Sequence, residues 1–149
     1  MNITIRQALG SDIASVLALY AELGMDDGKV LPEAQAQQVF AQFALYPNYR
    51  LFVAQNGSAV VGSYALLIMH NLAHQGTPSA IAEDVVVAQA YRGQGIGRQM
   101  MAHALERAQE ARCYKLALSS NTKRKEAHAF YSSLGFAQHG LSFVIETTP

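Results

Sequence analysis

Apolar and polar residues alternate at the start of the chain. Ile3 and Ile5 are set against Thr4 and Arg6, so residues 1–8 read as a strand. Gly10-Ser11-Asp12 offers a cap, after which Ile13, Val16, Leu17, Tyr20 and Leu23 fall at helical spacing. Gly24 is placed to end that helix. Residues 25–31 form a polar loop with Asp26 and Asp27. Pro32 suits a first helical turn, and Val39, Phe40 and Phe43 give the next helix an apolar face.

Residues 49–55 read as a strand, Asn56-Gly57 as a tight turn, and residues 58–69 as a long returning strand. Asn71, Gly76 and Pro78 mark a loop. Residues 80–87 form a fourth strand, whose Val85-Val86-Val87 run predicts burial on both faces. Residues 97–112 are amphipathic, with Ile96, Met100, Met101, Ala104, Leu105 and Ala108 on one side. A fifth strand is expected at 114–119 and a helix at 122–134, closed by Gly135. A final hairpin is expected through Phe136 and from Leu141 to Ile145. The order β-α-α-β-β-β-α-β-α-β-β predicts an α/β fold with one mixed sheet and helices on its faces. No repeat, low-complexity tract or linker interrupts it, so residues 1–149 are expected to form a single domain.

Composition adds exclusions. Half of the 149 residues are hydrophobic and only 15% are charged, which supports a buried core and excludes disorder. The formal net charge is zero, so no overall field draws the chain to nucleic acid or to an acidic membrane. No segment has the form of a signal peptide, and no apolar run approaches the roughly 20 residues that span a bilayer. The expectation is a cytoplasmic protein. The one cysteine, Cys113, reads as a small buried hydrophobe, with a nucleophilic thiol as the alternative.

The chemistry concentrates between Val85 and Arg98. A buried strand runs into a loop holding Gly93, Gly95 and Gly97, and the loop opens directly into a helix. Glycines let backbone N–H groups approach a ligand, and the helix start adds unpaired N–H groups and the positive end of its dipole. Such a site binds phosphate, and Arg92 and Arg98 bracket it with charge. A plain glycine-rich turn is the alternative. The dinucleotide fingerprint has other glycine spacing, and the triphosphate loop needs a Gly-Lys-Ser/Thr that is absent.

Arg92-x-x-Gly95-x-Gly97 resembles the acyl-CoA pyrophosphate loop of the GNAT superfamily of N-acetyltransferases. Asn121 and the run from Ala127 through His128, Phe130, Tyr131 and Leu134 to Phe136 resemble a second feature of that superfamily. The stretch from Glu83 to Val87 is similar to glucosamine-phosphate N-acetyltransferases. The stretch from Ser119 to Lys125, with Ala127-His128, is similar to aminoalkylphosphonate N-acetyltransferases.

The resemblance implies an acetyl-CoA-dependent N-acetyltransferase, with a homodimer as its assembly. Arg92, Gly93, Gln94, Gly95, Ile96, Gly97 and Arg98 would wrap the pyrophosphate. Val85, Val86 and Val87 would pair with the pantetheine arm like an added strand, and Asn121 would hydrogen-bond that arm. An amine would attack the thioester. A backbone N–H of Val85 or Val86 would hold the oxyanion, and Tyr131 would protonate the leaving thiolate.

Glu83 and Asp84 are the candidate bases, Glu83 placed first. A regular strand lets only one of them face the amine, unless a bulge intervenes. Sheet-end charges paired with Arg or Lys are the alternative. His70 and His74 read as loop residues near the acceptor. His128 lies three positions before Tyr131, where it would orient the phenol or simply face solvent.

Asp26, Asp27, Glu83 and Asp84 point to a small cationic amine. Lys123, Arg124 and Lys125 point to a phosphate or phosphonate on the substrate, or to the 3′-phosphate of CoA. Protein N-terminal or lysine acetylation is a second enzymatic reading, and a non-catalytic acyl-CoA sensor a third. No metal is expected.

Overall fold

Alternation along the strands decides which residues meet which helix. The computed structural model describes residues 1–148, which divide by internal contacts into two units, Met1–Ala117 and the segment from Leu118 onward. In the first unit a five-stranded sheet runs in the order β1-β2-β3-β4-β5. The strands are β1 (Ile3–Gln7), β2 (Tyr49–Asn56), β3 (Ala59–Met69), β4 (Ser79–Val87) and β5 (Leu116–Ala117). The first four are antiparallel, and β5 joins β4 in parallel. Three helices accompany them: α1 (Ile13–Leu23), α2 (Glu33–Phe43) and α3 (Ile96–Glu110). The mixed sheet and its helices are those the sequence pattern predicts.

Leu51, Val53 and Ala65 pack with Ile13 and Val16 of α1 and Ala36 of α2. The neighbouring residues point to the other face. There Phe52 stacks on its cross-strand partner Tyr64 at 5.3 Å, and both rings meet His103 of α3. The Tyr64 hydroxyl and His103 Nδ1 are 2.7 Å apart in a hydrogen bond. Gly62 lets α3 approach closely: a Cβ there would lie 3.1 Å from both Met100 Sδ and the Val86 carbonyl. Both sheet faces are therefore filled, and the C-terminal end of β4 and the start of α3 rest on a rigid base.

Beneath α1, Asp12 accepts two hydrogen bonds from the Arg6 guanidinium, at 2.7 and 3.0 Å, and one from the Leu9 N–H. The Arg6 guanidinium holds the Asp12 carboxyl below the usual carboxylate range.

Several element predictions need correction. Gly24 does end α1, with φ of +83°. Val39 is 47% exposed and Leu105 is 48% exposed, so neither joins the core face assigned to it. Leu19, left off the predicted face of α1, is buried. Val86 is buried, whereas Val85 and Val87 are half-buried. The fifth strand shrinks from six expected residues to Leu116–Ala117 because only Ala80 and Ile81 pair with it. The expected C-terminal hairpin does not form among the described residues. Leu141, Phe143, Val144 and Ile145 are 78 to 89% exposed, so their side chains have nothing to pack on. No helix among the described residues is long and apolar enough to cross a membrane.

Candidate active site

The register between β3 and β4 shifts at one point. Ala65 stands opposite Glu83 and Ser63 opposite Val86, so Tyr64 alone faces two residues, Asp84 and Val85. This is a β-bulge. Asp84 takes φ of +52°, a left-handed conformation that aspartate tolerates better than most side chains.

The bulge has a chemical consequence. Glu83 shares the face of its partner Ala65, which belongs to the α1–α2 core. Strict alternation would send Asp84 to the opposite face. Instead both carboxylates act on Tyr49, which packs on the α1–α2 side. Burial pushes its phenol up, and the charges of Asp84 and Glu83 push it further. Tyr20 of α1 is raised by burial and then by Asp84.

Asp84 itself, although exposed by surface area, is raised above the ordinary carboxylate value. Displacement of water by surrounding protein is the main cause, and the Asp26 charge adds to it. Asp26 and Asp27 lie in the short turn after α1, with φ of +49° and +58°. The phenols of Tyr20 and Tyr49 and the carboxylate of Asp26 thus lie near enough to Asp84 for their charges to couple with it. Tyr20 read only as a core residue in the sequence, and Tyr49 only as the start of a strand. The usable signal was that a tyrosine on an apolar face carries a polar tip.

On the side away from β3, the pairing of β4 with β5 stops at Ile81↔Ala117. Residues 82–87 have no ladder partner there among the described residues. Beyond β4, Ala88 N–H donates to the Val61 carbonyl at 2.8 Å, and a single 3-10 turn, Gln89–Tyr91, follows. Arg92 Nε donates to the Val87 carbonyl at 3.3 Å. Gly93 and Gly95 take φ of +75° and +85°, and Gly95 is the residue from which α3 starts. Ile96 is buried and anchors that start.

Among the described hydrogen bonds, none is donated by the backbone N–H groups of residues 93–98. A Cβ built on Gly93 or Gly95 meets no protein atom within 4 Å. Arg92 and Arg98 are exposed and join no ion pair among the described residues. Free donors, open space and two unpaired cations at the N-terminus of a 15-residue helix are what a pyrophosphate requires.

The second unit holds α4 (Lys125–Ser133). Asn121 Oδ1 accepts the Lys123 N–H at 2.9 Å, which leaves the side-chain NH₂ as its donor. His128 Nε2 hydrogen-bonds the Asn121 carbonyl at 2.7 Å and so braces the Asn121 turn. The Tyr131 ring packs between Phe130 at 5.2 Å and Phe136 at 5.8 Å. Burial raises its phenol, with an opposing effect from Arg124, so it stays protonated at neutral pH.

Other sequence candidates take structural places. Cys113 is half-buried and burial pushes its thiol up, the reverse of an activated nucleophile. His74 lies against the Tyr114 ring at 4.4 Å.

The profile of the acetyltransferase (GNAT) family matches residues 16–136. The aminoalkylphosphonate N-acetyltransferase of Salmonella typhimurium is 35% identical over 139 residues, spanning 93% of this chain and 88% of that protein. The glucosamine 6-phosphate N-acetyltransferase of Trypanosoma brucei brucei is 34% identical over 90 residues, 60% of this chain and 59% of that protein. A solved structure from Agrobacterium tumefaciens str. C58, assigned as an acetyltransferase, superposes with a TM-score of 0.90 at 35% identity, covering 97% of this chain and 99% of that one. The chain belongs to the acetyltransferase (GNAT) family and is an acetyltransferase.

Proposed function

We propose that the protein moves the acetyl group of acetyl-CoA onto the primary amine of a small molecule that also carries a phosphate or phosphonate. The observation that carries the donor half is the loop from Arg92 to Arg98, with its undonated N–H groups, open space and unpaired arginines. For the acceptor half, Asp26, Glu83 and Asp84 gather negative charge at the end of β4, which favours a cationic amine. Aminoalkylphosphonate and glucosamine 6-phosphate, named in two relatives, are both small primary amines with an oxyanion of phosphorus. Lys123, Arg124 and Lys125 supply cations suited to such a group. The family match at residues 16–136 runs through both compact units, which supports reading them as one catalytic domain.

Acetyl-CoA supplies the activated acyl group. The chain's own residues do the rest. Asp84 takes a proton from the bound ammonium, which frees the nitrogen lone pair to attack the thioester carbonyl, and its raised pKa makes it a better base at neutral pH than an ordinary carboxylate. This reverses the sequence preference for Glu83, which instead adds charge beside the amine. The open edge of β4 offers a backbone N–H at Val85 or Val86 to the developing oxyanion. Val87 and the neighbouring edge hold the donor's amide-bearing arm. Asn121 donates from its free NH₂ to that arm, and the protonated Tyr131 donates to the leaving sulfur.

A panel of amines, followed by release of the CoA thiol, tests the reading. An aminoalkylphosphonate or an amino-sugar phosphate should give turnover well above hydrolysis. Turnover confined to lysine-bearing peptides would replace the small-molecule acceptor with a protein. Acetyl-CoA binding with no thiol release for any amine would make the chain a sensor.

A further inference from the structure

Glu22 lies on the last turn of α1 and is exposed to solvent. Its Oε2 accepts the backbone N–H of Gln89 at 2.9 Å, a contact between residues 67 positions apart. Gln89 opens the 3-10 turn Gln89–Tyr91, where an N–H has no partner within the turn itself. That turn passes directly into the glycine loop, through Arg92 N–H on the Gln89 carbonyl at 3.3 Å. In the other direction, Glu22 is followed at once by Leu23, the left-handed Gly24 and the turn that carries Asp26. One charge-assisted hydrogen bond therefore ties the acceptor-side turn to the donor-side loop.

We infer that Glu22 is a positioning residue that fixes the entrance to the glycine loop, and so the aim of its free N–H groups, from the end of α1. The inference rests on the reading of that loop as the pyrophosphate site. Its sign is distinctive. A carboxylate near an anion site repels the anion, so on Coulomb grounds alone its removal should tighten binding. Positioning requires the opposite: loss of the tether loosens the loop and weakens binding.

Two variants separate these effects. Glu22→Ala removes the acceptor oxygen, whereas Glu22→Gln keeps one and removes the charge. The first readout is calorimetric affinity for CoA. The second is amide hydrogen exchange over residues 88–98 in the ligand-free protein. Glu22→Ala should weaken CoA binding roughly three- to tenfold, the scale of one charge-assisted hydrogen bond in an exposed setting, and should speed exchange over 88–98. Glu22→Gln should stay within about twofold of the parent in affinity, with parent-like exchange.

Unchanged or tighter CoA binding in Glu22→Ala overturns the inference, as does unchanged exchange. A Glu22→Gln variant as impaired as Glu22→Ala overturns it too, since charge would then matter rather than the accepting oxygen. A parent protein that does not bind CoA overturns the reading of the loop and this inference with it. Failure confined to the variants overturns the inference alone.

Discussion

Two properties of Gly95 set the outcome of its replacement. Its φ of +85° disfavours any side chain, yet a Cβ there meets no protein atom within 4 Å. Gly95→Ala should therefore leave the ligand-free fold intact apart from backbone strain of about 1–2 kcal/mol. For a chain of this length that lowers Tm by roughly 2–8 °C. Binding should respond more strongly, because the new methyl occupies the space where phosphate oxygens must reach the N–H groups of residues 93–98. CoA affinity should drop at least about tenfold, or 1.4 kcal/mol, and further in Gly95→Val.

Gly57 provides the control. It has φ of +59° and open space around its Cβ position, but it sits in the β2–β3 hairpin. Gly57→Ala should show a similar loss of Tm and parent-like CoA affinity. Calorimetry and thermal melts on the two variants measure both quantities. Parent-like affinity in a folded Gly95→Val, or an equal loss of affinity in Gly57→Ala, would refute the assignment of the loop.

Other consequences follow from the carboxylates and phenols. Asp26 helps hold the Asp84 carboxyl up, so Asp26→Asn should move the acidic limb of kcat/KM to lower pH, and Asp84→Asn should remove that limb. A limb that stays in place in Asp84→Asn takes Asp84 out of the mechanism and returns Glu83 to it. The Asp12 carboxyl is lowered in the fold by hydrogen bonding to Arg6, so its contribution is present above the unfolded carboxylate range and is lost as pH falls through that range toward the lowered value. Asp12→Asn should reduce stability at neutral pH by about 1.5–3 kcal/mol, and the deficit in urea melts should shrink on acidification. Tyr131→Phe keeps the ring between Phe130 and Phe136 and removes only the hydroxyl, so kcat should fall roughly 10- to 1,000-fold while CoA affinity changes less than about threefold. Equal turnover of the Phe variant with a good amine, where chemistry limits the rate, would remove the acid role.

The glycine loop before α3 was readable in the sequence because its constraint is local. Left-handed backbone before a helix start favours glycine, and Gly93 and Gly95 both occupy such positions. The cap at Gly24 and the turn at Gly57 were readable for the same reason. Asp84 was different. Its orientation depends on a register shift against β3, so nothing within residues 79–87 alone distinguishes a bulge from regular alternation. Glu22 gave no signal either, because an exposed helix-end glutamate looks the same whether or not a distant N–H finds it.

The apolar residues from Leu141 to Ile145 mimic a strand, but a strand exists only where a neighbour pairs with it. Val39 and Leu105 fit a helical period and still face outward, since the buried stripe of each helix is narrower than the pattern suggested.

The most direct test of acyl transfer is a single turnover. Protein loaded with isotopically labelled acetyl-CoA is mixed with one aminoalkylphosphonate, and the products are read by mass spectrometry. The account predicts that the label leaves CoA and appears as an amide on the acceptor, at a rate that Asp84→Asn and Tyr131→Phe both depress. Label that remains on bound CoA, or leaves it only as free acetate, would contradict the account.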